Sequence, residues 1–135
     1  MYDPLTSEKI RAAQSYSSQA RLLIDTHGLT IKNFFNHPEF LQLHKKVVIE
    51  FKGWAAHYAL AAAVYIFALF PHDISSALYL AVHTPGDSDS IASLSGALIG
   101  AFAGQLPDES MVNSIEESNR LNILARKIYL NRPIE

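Results

Sequence analysis

Apolar and polar residues alternate with the period of an α-helix along most of this chain. A first helix is predicted over Glu8–Thr26, with Thr6 or Ser7 as its N-cap and Gly28 directly after its end. Its apolar face is weak, because serine and glutamine are interspersed among small apolar residues. We expect this helix either to pack closely against a neighbour or to lie at the surface. The residues on its face are Ile10, Ala13, Ser17, Ala20, Leu23 and Ile24.

The middle of the chain predicts two more helices separated by Gly53. Asn36-His37-Pro38 begins the first, since proline is tolerated in a first helical turn. The second covers Trp54–Phe70, a stretch without formal charge that Pro71 ends. This stretch lies at the lower edge of the length that spans a bilayer, so a small membrane hairpin is an alternative. Its apolar residues on all sides and its missing interfacial belt favour a buried central helix.

Three helices are predicted in the remainder of the chain. Asp73 caps one that ends at His83-Thr84, because Pro85 disfavours helical geometry in the residue before it. A helix over Ile91–Gly104 carries Gly96, Gly100 and Gly104 on one stripe. Glycine costs about 1 kcal/mol in a helix interior, so this stripe predicts another helix pressed closely against it. After a loop at residues 105–108, the spacing of Leu121, Leu124, Ala125 and Ile128 indicates a last helix.

These patterns predict an all-α fold in which residues 1–135 form a single helical unit. No internal repeat, linker or low-complexity segment interrupts it, and the stretch Val47–Phe51 lacks the partner that a strand would need. Composition is 49% hydrophobic and 18% charged, which is more apolar than an average soluble protein. We expect such a surface to enter an oligomer or a complex.

Charge and cysteine content exclude several functional classes. A net charge of −2 and scattered basic residues do not form the basic surface that binds nucleic acid. The absence of cysteine excludes disulfides and thiolate metal sites, and it fits a reducing compartment such as the cytoplasm. The first residues lack the basic-then-apolar layout of a signal peptide. Six histidines form no zinc-ligand spacing, and His57, inside the apolar helix, is interpreted as a core histidine or one that faces a cleft.

The segment Gly86-Asp87-Ser88-Asp89-Ser90 carries the strongest candidate chemistry. Two carboxylates at i and i+2, with a hydroxyl at i+3, can converge on one point in a tight turn, and oxygen ligands select a hard cation such as Mg²⁺, Mn²⁺ or Ca²⁺. On spacing alone, helix capping by these residues is the stronger interpretation. An EF-hand is excluded, because the loop glycine and the terminal glutamate are replaced by Ala92 and Leu98.

This segment and the helix after it resemble a signature of the ADP-ribosylglycohydrolase family. The family reads Gly-Asp-(Thr/Ser)-Asp-(Thr/Ser)-Ile-Ala and then Gly-Ala-x-x-Gly-Ala, as do residues 86–92 and 96–101 here. Gly53-Trp54 before an alanine-rich helix, the helix at residues 73–82 and the Leu106-Pro107 turn extend the resemblance over residues 53–129.

The resemblance implies an all-α orthogonal helical bundle and a two-magnesium centre, with Mn²⁺ as a possible substitute. It identifies Asp87, Asp89 and Ser90 as metal ligands, and Gly86 and Ser88 as residues near the substrate. Family members cleave the N- or O-glycosidic bond between ADP-ribose and a side chain or a related acceptor. A water held by the metals attacks the sugar, so no catalytic side chain is assigned.

Several features of the family are missing from this chain. The family's early Gly-Asp-x-x-Gly segment and its paired N-terminal aspartates have no counterpart, since Asp3 and Asp25 stand alone. Thr84-Pro85 also stands where a second glycine is common. The chain therefore resembles the C-terminal portion of such an enzyme and is expected to need an N-terminal half in trans or a second copy. The alternative is a non-catalytic interaction module, or an inactive truncated relative, in which the loop only caps a helix.

Overall fold

The computed structural model describes residues 4–104 and 108–131, and every regular element in these ranges is helical. The predicted all-α class is confirmed. These residues divide into two compact units after Gly104, whereas one unit over residues 1–135 stays a prediction. The elements are α1 (Pro4–His27), a 3-10 turn (Phe34–Asn36), α2 (Pro38–Glu50), α3 (Ala56–Leu69), α4 (Ile74–Val82), α5 (Ser88–Ala103), α6 (Glu109–Asn113) and α7 (Ser118–Leu130).

The first helix begins four residues earlier than predicted. Pro4 is its first residue, so Thr6 and Ser7 lie inside the helix, and the prediction that one of them is the N-cap is wrong. An N-cap residue has non-helical backbone angles, which a residue inside a helix does not have. The predicted end is confirmed, with Gly28 at φ +60° directly after His27.

Helix α3 is the centre of the first unit and packs against α1, α2, α4 and α5. It buries a row of alanines together with Tyr65, Ile66 and Leu69. Helix α1 presents small residues to the core, among them Ala13, Ser17 and Ala20. Small side chains on both helices allow their axes to approach, which explains how a helix with a weak apolar face is held by tertiary contacts.

The interpretation of the long apolar stretch as a core helix fits these contacts. No helix in the described ranges has the length and apolar character required to cross a membrane. The stretch is also interrupted at its start, because α3 begins at Ala56 rather than at Trp54.

The predicted close packing along the glycine stripe of α5 is wrong. A Cβ atom at Gly96 would meet only Leu78 Cδ2, at an ordinary 3.5 Å, and one at Gly100 would meet nothing within 4 Å. Gly104 lies outside the helix and ends it in the left-handed conformation, with φ +61°. The packed face of α5 is made instead by Ile91, Ser95 and Ile99, which are spaced one helical turn apart.

The residues after Gly104 include the predicted last helix, which is present as α7 and buries none of its residues. Its basic end at Lys127 suits the helix dipole. The predicted turn at Leu106-Pro107 lies outside the described residues.

The core histidine of the fold is His44 and not His57. His57 is half-buried with its ring 4.2 Å from that of Tyr58, whereas His44 is buried among Phe35, Phe40 and Tyr65. Neither ring nitrogen of His44 has a hydrogen-bond partner in the described part of the chain. Desolvation lowers the pKa of His44 from 6.5 to about 4, because charging the ring inside the core is unfavourable.

This histidine predicts a specific acid sensitivity. The unfolded chain protonates His44 near its ordinary pKa of 6.5 while the native state does not, so stability is complete above that pH and is lost as the pH falls toward 4. Between about pH 7 and about pH 4.5, His44→Leu should remove about 2–3 kcal/mol of the acid-induced loss in the free energy of unfolding. Urea denaturation at both pH values measures it. The matched variant His72→Leu, at an exposed histidine, should lose as much stability on acidification as the wild type does. An equal effect of both variants would contradict the assignment of this acid sensitivity to His44.

Candidate metal centre

Two loops meet where α5 begins, and two glycines permit the contact. The N–H of Asp87 donates to the carbonyl of Lys52 at 2.9 Å. Gly86 has φ +102°, and a Cβ atom there would overlap the Lys52 carbonyl oxygen. Gly53 has φ +83°, and its missing Cβ would lie 3.0 Å from Asp87 Cβ and 3.1 Å from Ile91 Cδ1. We call this approach of residues 52–53 to residues 86–87 the loop contact. It fixes the start of α5 against the residues that precede α3.

The acidic segment is mostly helical rather than a loop. Helix α5 begins at Ser88, with Asp87 at the N-cap, so the predicted start at Ile91 is three residues late. Ser88, Asp89 and Ser90 form a polar first turn. A pattern that follows apolar residues alone misses such a turn, although carboxylates are favoured there by the helix dipole.

Asp87 occupies the capping position without capping the helix through its side chain. No N–H of α5 donates to its carboxylate. Asp73, by contrast, accepts from the N–H of Ser76 at 3.0 Å and caps α4 as predicted. The Asp87 side chain instead influences the neighbouring Asp89, whose pKa it lowers.

The pKa of Asp89 is lowered by its surroundings. The largest cause is the hydrogen bond with the Asp87 side chain, and backbone N–H groups of Asp89 and Ser90 add to it. All of these groups belong to the N-cap and the first turn of α5, where unpaired N–H groups stabilise negative charge. The turn therefore holds Asp89 as an exposed carboxylate.

An open cleft of about 490 Å³ lies beside these side chains. It brings together the three predicted ligands, Asp87, Asp89 and Ser90, while Gly86 and Ser88 are not among its lining residues. The role of Gly86 visible in the structure is the loop contact, and contact of Gly86 and Ser88 with a substrate stays a prediction. The lining residues are Gly53, Trp54, Ala56, Ala59, Asp87, Asp89, Ser90, Ser93 and Leu94.

The donors at this cleft suit a hard cation but are few. Two carboxylates and a hydroxyl offer only oxygen ligands, which is the set that Mg²⁺ and Mn²⁺ prefer. Across residues 4–104 and 108–131, no group of three or more histidine, aspartate or glutamate side chains is placed to hold a metal ion. The cleft thus brings together two carboxylates and one hydroxyl, fewer oxygens than a complete set of protein ligands would supply.

Among the residues that line the cleft, Trp54 is the one whose position the sequence pattern predicted incorrectly. It was expected at the start of a buried apolar helix, but it precedes α3 and is 76% exposed. The left-handed backbone at Gly53 turns the chain before the helix, so the indole borders the cleft and does not enter the core. The adjacent glycine was the available signal, since glycine before a large apolar residue often marks a turn.

Comparison with known proteins gives one match. The model of a family described as ADP-ribosylglycohydrolase matches residues 4–134. Neither curated proteins nor solved structures gave a match.

The loop contact predicts unequal effects of alanine at two glycines. Gly86→Ala forces a side chain into the Lys52 carbonyl and into a left-handed backbone angle, so it should lower the free energy of unfolding by at least about 2 kcal/mol. Gly100→Ala, in open space within α5, should raise it by about 0.5–1 kcal/mol. Equilibrium urea denaturation distinguishes the two. Equal effects of the two substitutions would show that the loop contact does not hold the native fold.

Proposed function

The chain belongs to the ADP-ribosylglycohydrolase family, and we propose that it supplies Asp87, Asp89 and Ser90 to a magnesium centre that hydrolyses the glycosidic bond of an ADP-ribosylated acceptor. Family membership supports hydrolysis of this general type. The observation that carries the assignment to these residues is that Asp87 stands at a helix start with a carboxylate free of capping and facing an open cleft beside Asp89.

The residues of this chain fit the proposed metal. Asp87 and Asp89 would ligate through carboxylate oxygens and Ser90 through its hydroxyl, and all three line the same cleft. When bound, Mg²⁺ supplies Lewis-acid polarisation of the oxygens at the bond to be broken. The loop contact keeps Asp87 in place through backbone groups, so its side chain is not needed to stabilise the turn. The exposed position of Asp89 leaves its carboxylate accessible from the cleft.

The short ligand set supports a second part of the proposal. Two carboxylates are too few for the two-metal centre that the family resemblance implies, so the remaining ligands would come from a complementary N-terminal segment or from another copy of the chain. The acceptor would be an ADP-ribosylated protein side chain or a small molecule. The cytoplasm would suit a cysteine-free chain of this composition.

Magnesium binding to the chain as it stands is the first test. Mg²⁺ should raise the melting temperature, because an ion that binds only the native state stabilises it. Asp87→Asn and Asp89→Asn should each abolish the shift, while Asp25→Asn, at an exposed carboxylate that pairs with Arg21, should retain it. Thermal denaturation at increasing Mg²⁺ measures the effect, with Ca²⁺ in parallel. A shift that persists in Asp87→Asn would point to ions held elsewhere on the surface.

Reconstituted hydrolysis tests the catalytic part. Mixing the chain with a segment that carries paired aspartates should give Mg²⁺-dependent release of ADP-ribose from an ADP-ribosylated peptide, and EDTA should stop it. Asp87→Asn should lower the rate by more than the about ten- to hundredfold loss that is typical when a residue that only orients a metal ligand is removed. Full activity of Asp87→Asn in the same mixture would refute the proposed centre and favour a non-catalytic interaction module.

A further inference from the structure

Two of the six histidines come together where α1 ends and α2 begins. His27 is the last residue of α1, and His37 lies directly before α2 as its N-cap. The centres of their rings are 4.3 Å apart, and the ring planes are tilted by 41°. The two residues lie ten positions apart in the chain, so their spacing does not reveal the pair. The fold therefore brings together two nitrogen ligands that the sequence keeps apart.

The segment between the two histidines is held in place by its own contacts. The N–H of Leu29 donates to a carbonyl of α1 at 3.0 Å, and the side chain of Leu29 is buried. The N–H of Thr30 donates to Asn33 Oδ1 at 2.6 Å. Phe34 is also buried, and its ring stacks on that of Phe40 with 5.2 Å between the centres. These contacts hold the end of α1 beside the start of α2, so a ligand of both rings would not have to order the chain between them.

The ring nitrogens of this pair are accessible to a metal ion. His27 is exposed, and within the described part of the chain its ring contacts that of His37 and makes no hydrogen bond. The Nδ1 atom of His37 accepts the N–H of Phe40, so this nitrogen carries a lone pair, which is the form that binds a metal. The two nitrogens are 3.5 Å apart, longer than an ordinary hydrogen bond. A metal at Nδ1 would therefore displace only a weak interaction.

The separation of the two rings suits a pair of imidazoles that share one metal ion. With metal–nitrogen bonds of about 2.0–2.1 Å, two rings on neighbouring coordination positions have their centres about 4.5–5 Å apart. The observed 4.3 Å lies close to this range. The His27 side chain is exposed, so rotation about its side-chain bonds can supply the remaining adjustment without a change in the backbone.

We propose that His27 and His37 together bind Zn²⁺ or a similar divalent transition-metal ion, with waters completing its coordination. Imidazole is a ligand for such ions, whereas Mg²⁺ takes oxygen ligands, so the pair would not compete for the cation of the acidic turn. The pair offers two protein ligands, and the described ranges hold no larger group of histidine, aspartate or glutamate side chains placed for a metal. A bound ion would connect α1 to α2 and stabilise the native state. The site does not depend on the proposed hydrolysis.

Titration of the chain with Zn²⁺, in a form without a histidine tag, tests the pair. In NMR spectra of the histidine rings, the signals of His27 and His37 should shift together and with saturation, whereas those of the exposed His72 should not shift. His27→Gln removes one ligand, and His37→Asn removes the other while keeping a residue that caps a helix well. Each variant should weaken Zn²⁺ binding at least about tenfold, measured at the ring that remains, because loss of an outer partner of a metal ligand already costs that much.

The controls separate this site from the candidate magnesium centre. His72→Gln and Asp87→Asn should both bind Zn²⁺ at the pair as tightly as the wild type does. In the Asp87→Asn chain, Zn²⁺ should raise the melting temperature, and addition of His27→Gln should abolish that shift. Absence of a saturable shift of the His27 and His37 signals, or equal Zn²⁺ affinity in His27→Gln and His72→Gln, would overturn the site and leave the two rings as a simple stack. Such a failure would leave the Mg²⁺-dependent stabilisation unchanged.

Discussion

Two glycines in left-handed backbone conformations allow one loop of this protein to rest directly on another. Gly86 lies so close to the carbonyl of Lys52 that no side chain fits between them, and a Cβ atom at Gly53 would lie 3.0 Å from Asp87 Cβ. The N–H of Asp87 then finds its acceptor in a backbone carbonyl of the other loop. The carboxylate of Asp87 does not cap α5, whereas that of Asp73 caps α4 by accepting the N–H of Ser76. The cleft, its acidic wall and the position of Trp54 all depend on this arrangement.

The helical core supplies the frame on which the loop contact is built. Helix α3 contacts four other helices, and its alanines together with the small residues of α1 allow close approach of the two axes. Helix α5 packs on α3 and α4 through Ile91, Ser95 and Ile99. Ile91, one turn after Asp87, also touches the backbone of Gly53. The core and the loop contact therefore share Ile91, so packing in the core sets the position of the acidic turn.

Sequence patterns predicted the helices well and the site in part. Breakers such as Gly28, Pro38, Pro71 and Pro85 placed most ends, because their backbone constraints act locally. The start of α5 was missed because its first turn is polar, and the glycine stripe was misinterpreted because glycine spacing does not reveal whether a neighbour is present. Spacing alone favoured a helix cap for Asp87, Asp89 and Ser90, and the family resemblance singled them out as ligands; the structure brings all three to one cleft. Trp54 and the loop contact were not found, since both depend on a tertiary approach between residues more than thirty positions apart.

The central claim is that the first turn of α5 binds a divalent hard cation through Asp87, Asp89 and Ser90. Crystals soaked in Mn²⁺, with anomalous diffraction recorded at a manganese-sensitive wavelength, test it most directly. We predict an anomalous peak in the cleft at about 2.1–2.2 Å from carboxylate oxygens of Asp87 and Asp89, close to the distance expected for magnesium. A structure at saturating Mn²⁺ without such a peak, in which the Asp87 carboxylate accepts a backbone N–H of α5, would contradict the claim and show the turn to be a helix cap.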